Sequence, residues 1–214
     1  MISDIDIQII LWTQRFFGAE TRQAWMIITG LGGHIVVVLA VMVPFWIGRP
    51  RAGVQIFFTA MMSALFTDCL KVFLGHPRPY YVYAEVEPLL GSSGFGMPSG
   101  HASTAASVWG SAALLSQRKA VYALAILLSF LVGSSRIFLG VHSLGQIMVG
   151  WAVGVAVMLV VYKMRRPATG VFRKLSDGSW LWPASRVSLE LIGVIFRPQP
   201  LLPWLSLIHI SEPT

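Results

Sequence analysis

The sequence predicts an all-α fold: a polytopic bundle of about five transmembrane helices preceded by an interfacial helix. Three observations lead there. Of 214 residues, 12% are charged and 55% hydrophobic, against about 25% charged in an ordinary soluble domain. Uncharged runs long enough to cross a bilayer recur along the chain, punctuated by Arg, Lys, Pro and Gly. The other ionisable residues gather where those runs end.

The net charge of +7 would point to nucleic acid in a soluble protein. Here the bases sit between apolar runs, where they set topology and meet anionic head groups. Membrane lipids are therefore the expected partners, and nucleic acid is not. The single cysteine, Cys69, rules out an intramolecular disulfide and a cysteine-based metal site, and reads as a small buried hydrophobe. The opening MISDIDIQII is acidic, so no cleavable signal peptide is expected.

Residues 5–17 mix apolar side chains with Asp, Gln and Arg at helical spacing, which predicts an amphipathic helix at the interface. Residues 25–48 contain no Asp, Glu, Lys or Arg. At about 1.5 Å per residue they exceed the roughly 30 Å hydrocarbon core and form the first span. His34 inside that span is expected to be structural. Arg49-Pro50-Arg51 ends it, and residues 52–75 form the second span, uncharged until Asp68 and Lys71. Residues 76–98, broken by Pro77, Pro79, Pro88 and glycines, are too irregular to cross and form a loop. Residues 99–117, 120–135 and 142–162 give the third, fourth and fifth spans. They end at Arg118-Lys119, at Arg136, and at Lys163, Arg165 and Arg166.

The basic groups at Arg49/Arg51, Arg118/Lys119 and Lys163/Arg165/Arg166 fall at alternate ends of these spans. If they are cytoplasmic, the opposite ends share the outer face. Those ends carry KVFLGHPRP (71–79), PSGH (98–101) and SRIFLGVH (135–142). The expected organisation is a membrane domain over residues 1–166, with its core at 52–162, and a cytoplasmic or interfacial segment at 167–204. Residues 205–214 (LSLIHISEPT) look like a translated sequencing-library adapter. They are set aside, so His209 and Glu212 receive no role, and the natural chain is expected to continue past Trp204.

Ionisable groups at membrane depth are costly and are candidates for function, although any single Lys or Arg at a helix end also serves as an anchor. Together the three clusters hold what phosphoryl transfer needs: fixed positive charge, hydrogen-bond donors, a nucleophile and an acid for the leaving group. Lys71 offers a point charge, and Arg78 and Arg136 offer planar forks suited to phosphate. Ser99 and Gly100 begin the third span, where first-turn amides and the helix dipole favour an anion; Pro-Ser-Gly is equally an ordinary helix start. His101 and His142 can divide attack and protonation between them. The motifs contain no carboxylate cluster with metal spacing and no Gly-rich nucleotide loop, so no metal or other cofactor is expected.

Lys71 through Arg78-Pro79, then Pro98-Ser99-Gly100-His101, then Ser135-Arg136 through His142 resemble, in order and interval, the three signatures of the type 2 phosphatidic acid phosphatase superfamily. The resemblance covers about residues 52–162. It implies an all-helical membrane bundle and a metal-independent phosphatase in which His142 forms a phosphohistidine and His101 is the general acid. Lys71, Arg78, Ser99, Gly100 and Arg136 would hold the phosphate. The chain departs from the pattern at Gln146, where the family usually has an acidic residue that orients the nucleophile. A glutamine carbonyl still accepts from an imidazole N–H, but it brings no charge. Asp68, three residues before Lys71, is expected to pair with that lysine.

The leading expectation is an enzyme of the bacterial inner membrane, its site facing outward, acting on a lipid phosphate of the phosphatidic acid, phosphatidylglycerophosphate or undecaprenyl pyrophosphate type. A phosphotransferase of the same superfamily and a catalytically silent membrane scaffold or transporter subunit are the alternatives. A vanadium-dependent haloperoxidase is disfavoured, because those enzymes are typically soluble. Tyr80, Tyr81, Tyr83, Glu85 and Glu87 in the outer loop would either shape a head-group pocket or form an aromatic belt with solvated acids. Oligomeric state is open.

Overall fold

The computed structural model describes the backbone over residues 2–176 and side chains over residues 2–164. The elements are α1 (Asp4–Phe17), α2 (Arg22–Gly30), α3 (His34–Trp46), α4 (Pro50–Leu74), the short α5 (Pro79–Val82), α6 (Gly100–Ser116), α7 (Lys119–Phe138) and α8 (Leu144–Ser176). A 3-10 turn (Ala19–Thr21) precedes α2. Residues Met1–Arg165 form one compact unit. The expectations for the chain beyond Ser176, the adapter-like 205–214 included, lie outside the described residues.

Four stretches are long and apolar enough to cross a membrane: Ala19–Trp46, Pro50–Val82, Lys119–Phe138 and Leu144–Met164. The remaining expected span, α6, has 17 residues, about 26 Å of helix at 1.5 Å per residue. The first span is two helices rather than one. Gly30, Gly32 and Gly33 break it, because consecutive i→i+3 turns (Leu31 to Ile28, Gly32 to Thr29, Gly33 to Gly30) replace the α-helical ladder there. Arg136 lies in the last turn of α7 instead of ending the fourth span, and His142 sits in the turn before α8 instead of beginning the fifth. Cys69 is exposed on α4, not buried.

Helix ends follow local chemistry. Pro50 starts α4, where its missing N–H costs nothing. Gly75 stops α4 in the left-handed region, its N–H returning to Lys71 O at 3.0 Å. Large apolar side chains such as Phe57, Phe58, Met61, Leu65 and Phe66 on α4, and Ile126, Leu127 and Phe130 on α7, face outward. Small polar ones face inward: Ser63 and Thr67 of α4 bond Ser103 of α6 at 2.6 and 2.9 Å. This polarity suits a bundle in lipid, where small residues and interhelical hydrogen bonds hold helices together.

The packing that places the site is α8 on α6. A Cβ at Gly150 would come 2.6 Å from Ser99 O, and one at Gly154 would come 2.3 Å from Ser103 O. Only glycine at this Gly-x-x-x-Gly pair lets the two backbones approach so closely. The N-terminal ends of α6 and α8 are thereby set side by side.

Helix α1 does more than lie at an interface. Ser3 and Asp6 form a capping box at its start, and Ile7 and Ile10 are buried in a cluster with Val86, Ala102, Ile137 and Ile147. Asp6 Oδ1 also accepts from Gly145 N at 3.2 Å, satisfying a first-turn donor of α8. Gln14 Nε2 donates to Glu87 O (2.8 Å) and Phe138 O (3.1 Å), so α1 straps the loop to the end of α7.

Candidate active site

His142 is delivered by the way α7 ends. The amides of Val141 and His142 both return to Arg136 O, at 3.3 and 3.4 Å, folding the chain back over the last turn. Gly140 makes the reversal at φ 71°. A Cβ there would meet Glu87 O at 2.5 Å, so both the backbone angle and the close approach require glycine.

Ser143 and Gln146 then begin α8 as a capping box. Gln146 N lies 3.4 Å from Ser143 Oγ, and Ser143 N lies 3.4 Å from Gln146 Oε1. The same Oε1 faces His142 Nδ1 at 3.1 Å, and Nε2 donates to Pro77 O at 2.9 Å. The amide orientation follows from these partners: the oxygen meets two N–H donors and the nitrogen meets a carbonyl. Nδ1 of His142 is therefore the protonated nitrogen, and Nε2 carries the lone pair. Burial, then the positive charges of Arg136 and Arg78, push His142 well below the ordinary histidine range, with the Gln146 bond acting in the opposite direction. A neutral imidazole with its lone pair on Nε2 is the state a nucleophile needs.

Arg78 is bonded mainly to backbone carbonyls. Nε donates to Gly94 O (3.0 Å), Nη2 to Ser93 O (2.9 Å) and Nη1 to Val141 O (3.2 Å), while Nη1 also lies 3.3 Å from His142 Nε2. The edge of the fork expected to grip phosphate thus pins the loop, and one nitrogen faces His142. Tyr80 and Tyr81 also close that loop, both phenols reaching Ser92 O.

At the start of α6, Ser99 N donates to Gln146 O at 3.1 Å. Ser99 Oγ is buried, makes no cap to its own helix and has no hydrogen-bond partner among the described residues. A serine in this position ordinarily bonds an amide of the first turn. The first-turn amides of Gly100, His101 and Ala102 likewise have no acceptor within the helix. Lys71 Nζ lies 3.5 Å from where a Gly100 Cβ would be. It pairs with Asp68 at 2.9 Å, as the spacing predicted. That pair is weak, because the lysine and aspartate side chains are 25% and 71% exposed. The lysine is free to exchange a carboxylate for another anion.

Arg136 Nη1 donates to Thr29 Oγ1 at 3.0 Å, and its buried Nε has no partner among the described residues. A lone threonine in an apolar run carries no signal, so the sequence does not mark Thr29 for the site. Nor does it mark Asp6, whereas the Ser143-x-x-Gln146 spacing is that of a capping box.

The three clusters therefore meet at one end of the bundle through a connected chain of contacts. Lys71 lies against Gly100, Ser99 bonds Gln146, Gln146 bonds His142, and His142 touches Arg78 and folds onto Arg136. His101 stands at the second position of α6, on the side facing Gly32. Three cations, free first-turn amides and two unpartnered buried donors around a neutral imidazole suit an oxyanion undergoing nucleophilic attack.

The chain is 32% identical over 106 residues to phosphatidylglycerophosphatase B of Bacillus subtilis, covering 45% of this chain and 50% of that protein. It is 28% identical over 169 residues to dolichyldiphosphatase of Saccharomyces cerevisiae, covering 73% and 68%. Lipid A 1-phosphatase of Rhizobium johnstonii is 29% identical, with 63% and 55% covered. The chain thus spans about half the length of the first two bacterial relatives. The crystal structure of a PAP2-type phosphatidylglycerolphosphate phosphatase from Bacillus subtilis has the same fold, at a TM-score of 0.65 and 24% identity over 76% of this chain and 85% of that one. Aquifex aeolicus LpxE shares it at 0.69 and 20%, over 76% and 99%. The sequence pattern of the PAP2 superfamily matches residues 52–169, more than half of the chain. This integral membrane protein belongs to the PAP2 superfamily.

Proposed function

We propose that this protein is a membrane phosphatase that hydrolyses the phosphomonoester or pyrophosphate of a lipid through a phosphohistidine at His142. The observation that carries the reading is that two of the four buried side-chain donors without partners among the described residues, Ser99 Oγ and Arg136 Nε, belong to this site; the other two, Gln55 Nε2 and Ser111 Oγ, lie elsewhere on α4 and α6. Buried donors are rarely left unpaired, and these two belong to different motifs that converge on one imidazole. A phosphoryl oxygen at each would satisfy both.

In the proposed reaction His142 Nε2 attacks phosphorus while the bond from phosphorus to the leaving oxygen breaks. His101 passes its proton to that oxygen. Water then attacks the phosphohistidine, gives a proton to His101 and releases inorganic phosphate. Lys71, Arg136, Ser99 and the amides from Gly100 onward stabilise the charge gathering on the equatorial oxygens. Arg78 contributes one Nη1 donor, and Gln146 holds His142 in the attacking tautomer.

The relatives named for phosphatidylglycerophosphate, lipid A and dolichyl diphosphate support a lipid substrate. Arg49, Arg118 and Lys119 lie at the helix ends opposite the site, which favours an outward-facing site in a bacterial inner membrane. The test is phosphate release by the purified full chain in EDTA, on phosphatidic acid, phosphatidylglycerophosphate and undecaprenyl pyrophosphate. Release that persists in EDTA and is lost in His142→Ala is expected. Release that survives His142→Ala would refute the histidine mechanism, and no release from any lipid would favour a silent scaffold.

A further inference from the structure

The break between α2 and α3 stands directly behind the site. Thr29 is the buried residue of α2, and its hydroxyl accepts from Arg136 Nη1 at 3.0 Å. The turn that follows is fixed on α6 from two sides. Trp109 Nε1 donates to Leu31 O at 3.2 Å, and a Cβ at Gly32 would come 3.1 Å from His101 O and 3.6 Å from His101 Cβ. One turn of the first span therefore backs both Arg136 and His101. It lies before residue 52, where the family pattern begins.

A guanidinium is planar, so fixing one nitrogen fixes the direction of the others. Nη1 is the nitrogen remote from the Nε edge. With Nη1 on Thr29, the buried and unpartnered Nε, together with the adjacent Nη2, forms the open side of the fork. That edge can donate two parallel bonds to one phosphoryl group.

We infer that Thr29 is a positioning residue for Arg136, setting the plane of its guanidinium so that the Nε edge faces the phosphoryl group. The inference rests on the phosphatase reading above. It assigns the first span a part in substrate binding that its apolar composition does not announce. Valine has the shape of threonine without the acceptor. Serine keeps the acceptor without the methyl group.

The experiment compares the full chain as wild type, Thr29→Val, Thr29→Ser, Arg136→Lys and the double variant Thr29→Val/Arg136→Lys. The readouts are kcat/KM on a lipid phosphate, orthovanadate affinity and thermal midpoint. Thr29→Val is expected to weaken vanadate binding and lower kcat/KM about tenfold, the effect of one hydrogen bond to a charged group. Thr29→Ser should stay within about threefold of wild type, the acceptor being retained. Adding Thr29→Val to Arg136→Lys should change little more, because a lysine has no fork to orient. Wild-type kcat/KM and vanadate affinity in Thr29→Val would overturn the inference. So would a fall in thermal midpoint with unchanged vanadate affinity, which is the mark of a purely structural contact. A wild type that neither binds vanadate nor releases phosphate would instead remove the phosphatase reading, and this inference with it.

Discussion

Gln146 holds His142 through Oε1 at 3.1 Å, and with the nitrogen of the same amide it donates to Pro77 O at 2.9 Å. A carboxylate here could make only the first of these contacts. Gln146→Glu is therefore predicted to place an oxygen against the Pro77 carbonyl, leaving a buried repulsion costing about 1–3 kcal/mol. It also adds negative charge beside an imidazole that burial and two arginines keep below the ordinary histidine range. A carboxylate favours the protonated imidazole, so the pKa of His142 rises and the nucleophile is lost at a higher pH. The acidic limb of kcat/KM should move upward in Gln146→Glu and downward in Gln146→Asn, whose shorter side chain gives up the bond that raises the His142 pKa. A pH–rate profile of the three proteins checks this, and an unmoved limb in the glutamate variant would show that Gln146 does not govern His142.

Ser99 separates binding from stability. Its hydroxyl is buried, caps nothing and bonds no protein group. Ser99→Ala removes an unsatisfied polar atom, so the thermal midpoint should be unchanged or higher. If the hydroxyl meets a phosphoryl oxygen, kcat/KM should fall by about tenfold, the worth of one preorganised donor at the low end. Thermal unfolding and kinetics on the same preparation read both. Loss of stability together with activity would mean that Ser99 supports the helix instead.

Much of this site was legible because its residues are polar in apolar surroundings and sit where helices end. Lys71, Ser99, Arg136 and His142 stand out against a chain that is 12% charged, and helix direction alone places their ends together. What escaped was whatever depends on packing across the bundle. Nothing in residues 25–48 marks Thr29 as the partner of an arginine 107 positions away. Gly30, Gly32 and Gly33 read as part of an apolar run, but they break it because α6 and Trp109 lie against that turn. Asp6 looked like interfacial polarity and is instead a cap for a helix 139 residues further on. Arg78 also ties down the loop, which its residue type alone does not announce. A fork that suits phosphate equally suits two successive carbonyls.

The two arginines should consequently fail in different ways. Arg78 donates to Ser93, Gly94 and Val141 carbonyls in addition to facing His142. Replacing it by lysine leaves at least two of these three carbonyls without their donor. Val141 is buried, so its bond is worth about 1.5–3 kcal/mol, while Ser93 and Gly94 are exposed and losing their bonds costs less. The Arg136 side chain makes one hydrogen bond among the described residues, to Thr29. Arg78→Lys should lower the thermal midpoint and kcat/KM together. Arg136→Lys should lower kcat/KM with a much smaller change in midpoint. Equal thermal losses in the two variants would contradict this division.

The glycines of α8 hold the site together from a distance. A Cβ at Gly154 would lie 2.3 Å from Ser103 O and 3.0 Å from Ala106 Cβ, so α8 must move off α6. Alanine gains about 0.5–1 kcal/mol in helix propensity, whereas overpacking a tight contact costs about 1–3 kcal/mol. The clash should win. Because the turn carrying His142 leads directly into α8, the displacement carries the imidazole away from Ser99 and Arg78. Gly154→Ala is therefore predicted to lose at least tenfold in kcat/KM, since misplacement of about 1 Å costs as much or more. It touches no residue of the site. Gly91→Ala, in the outer loop with no atom within 4 Å of the added methyl, should keep wild-type activity. Full activity in Gly154→Ala would mean that α8 can shift without moving His142. The capping box and the Asp6 bond, not the helix contact, would then be what fixes the nucleophile.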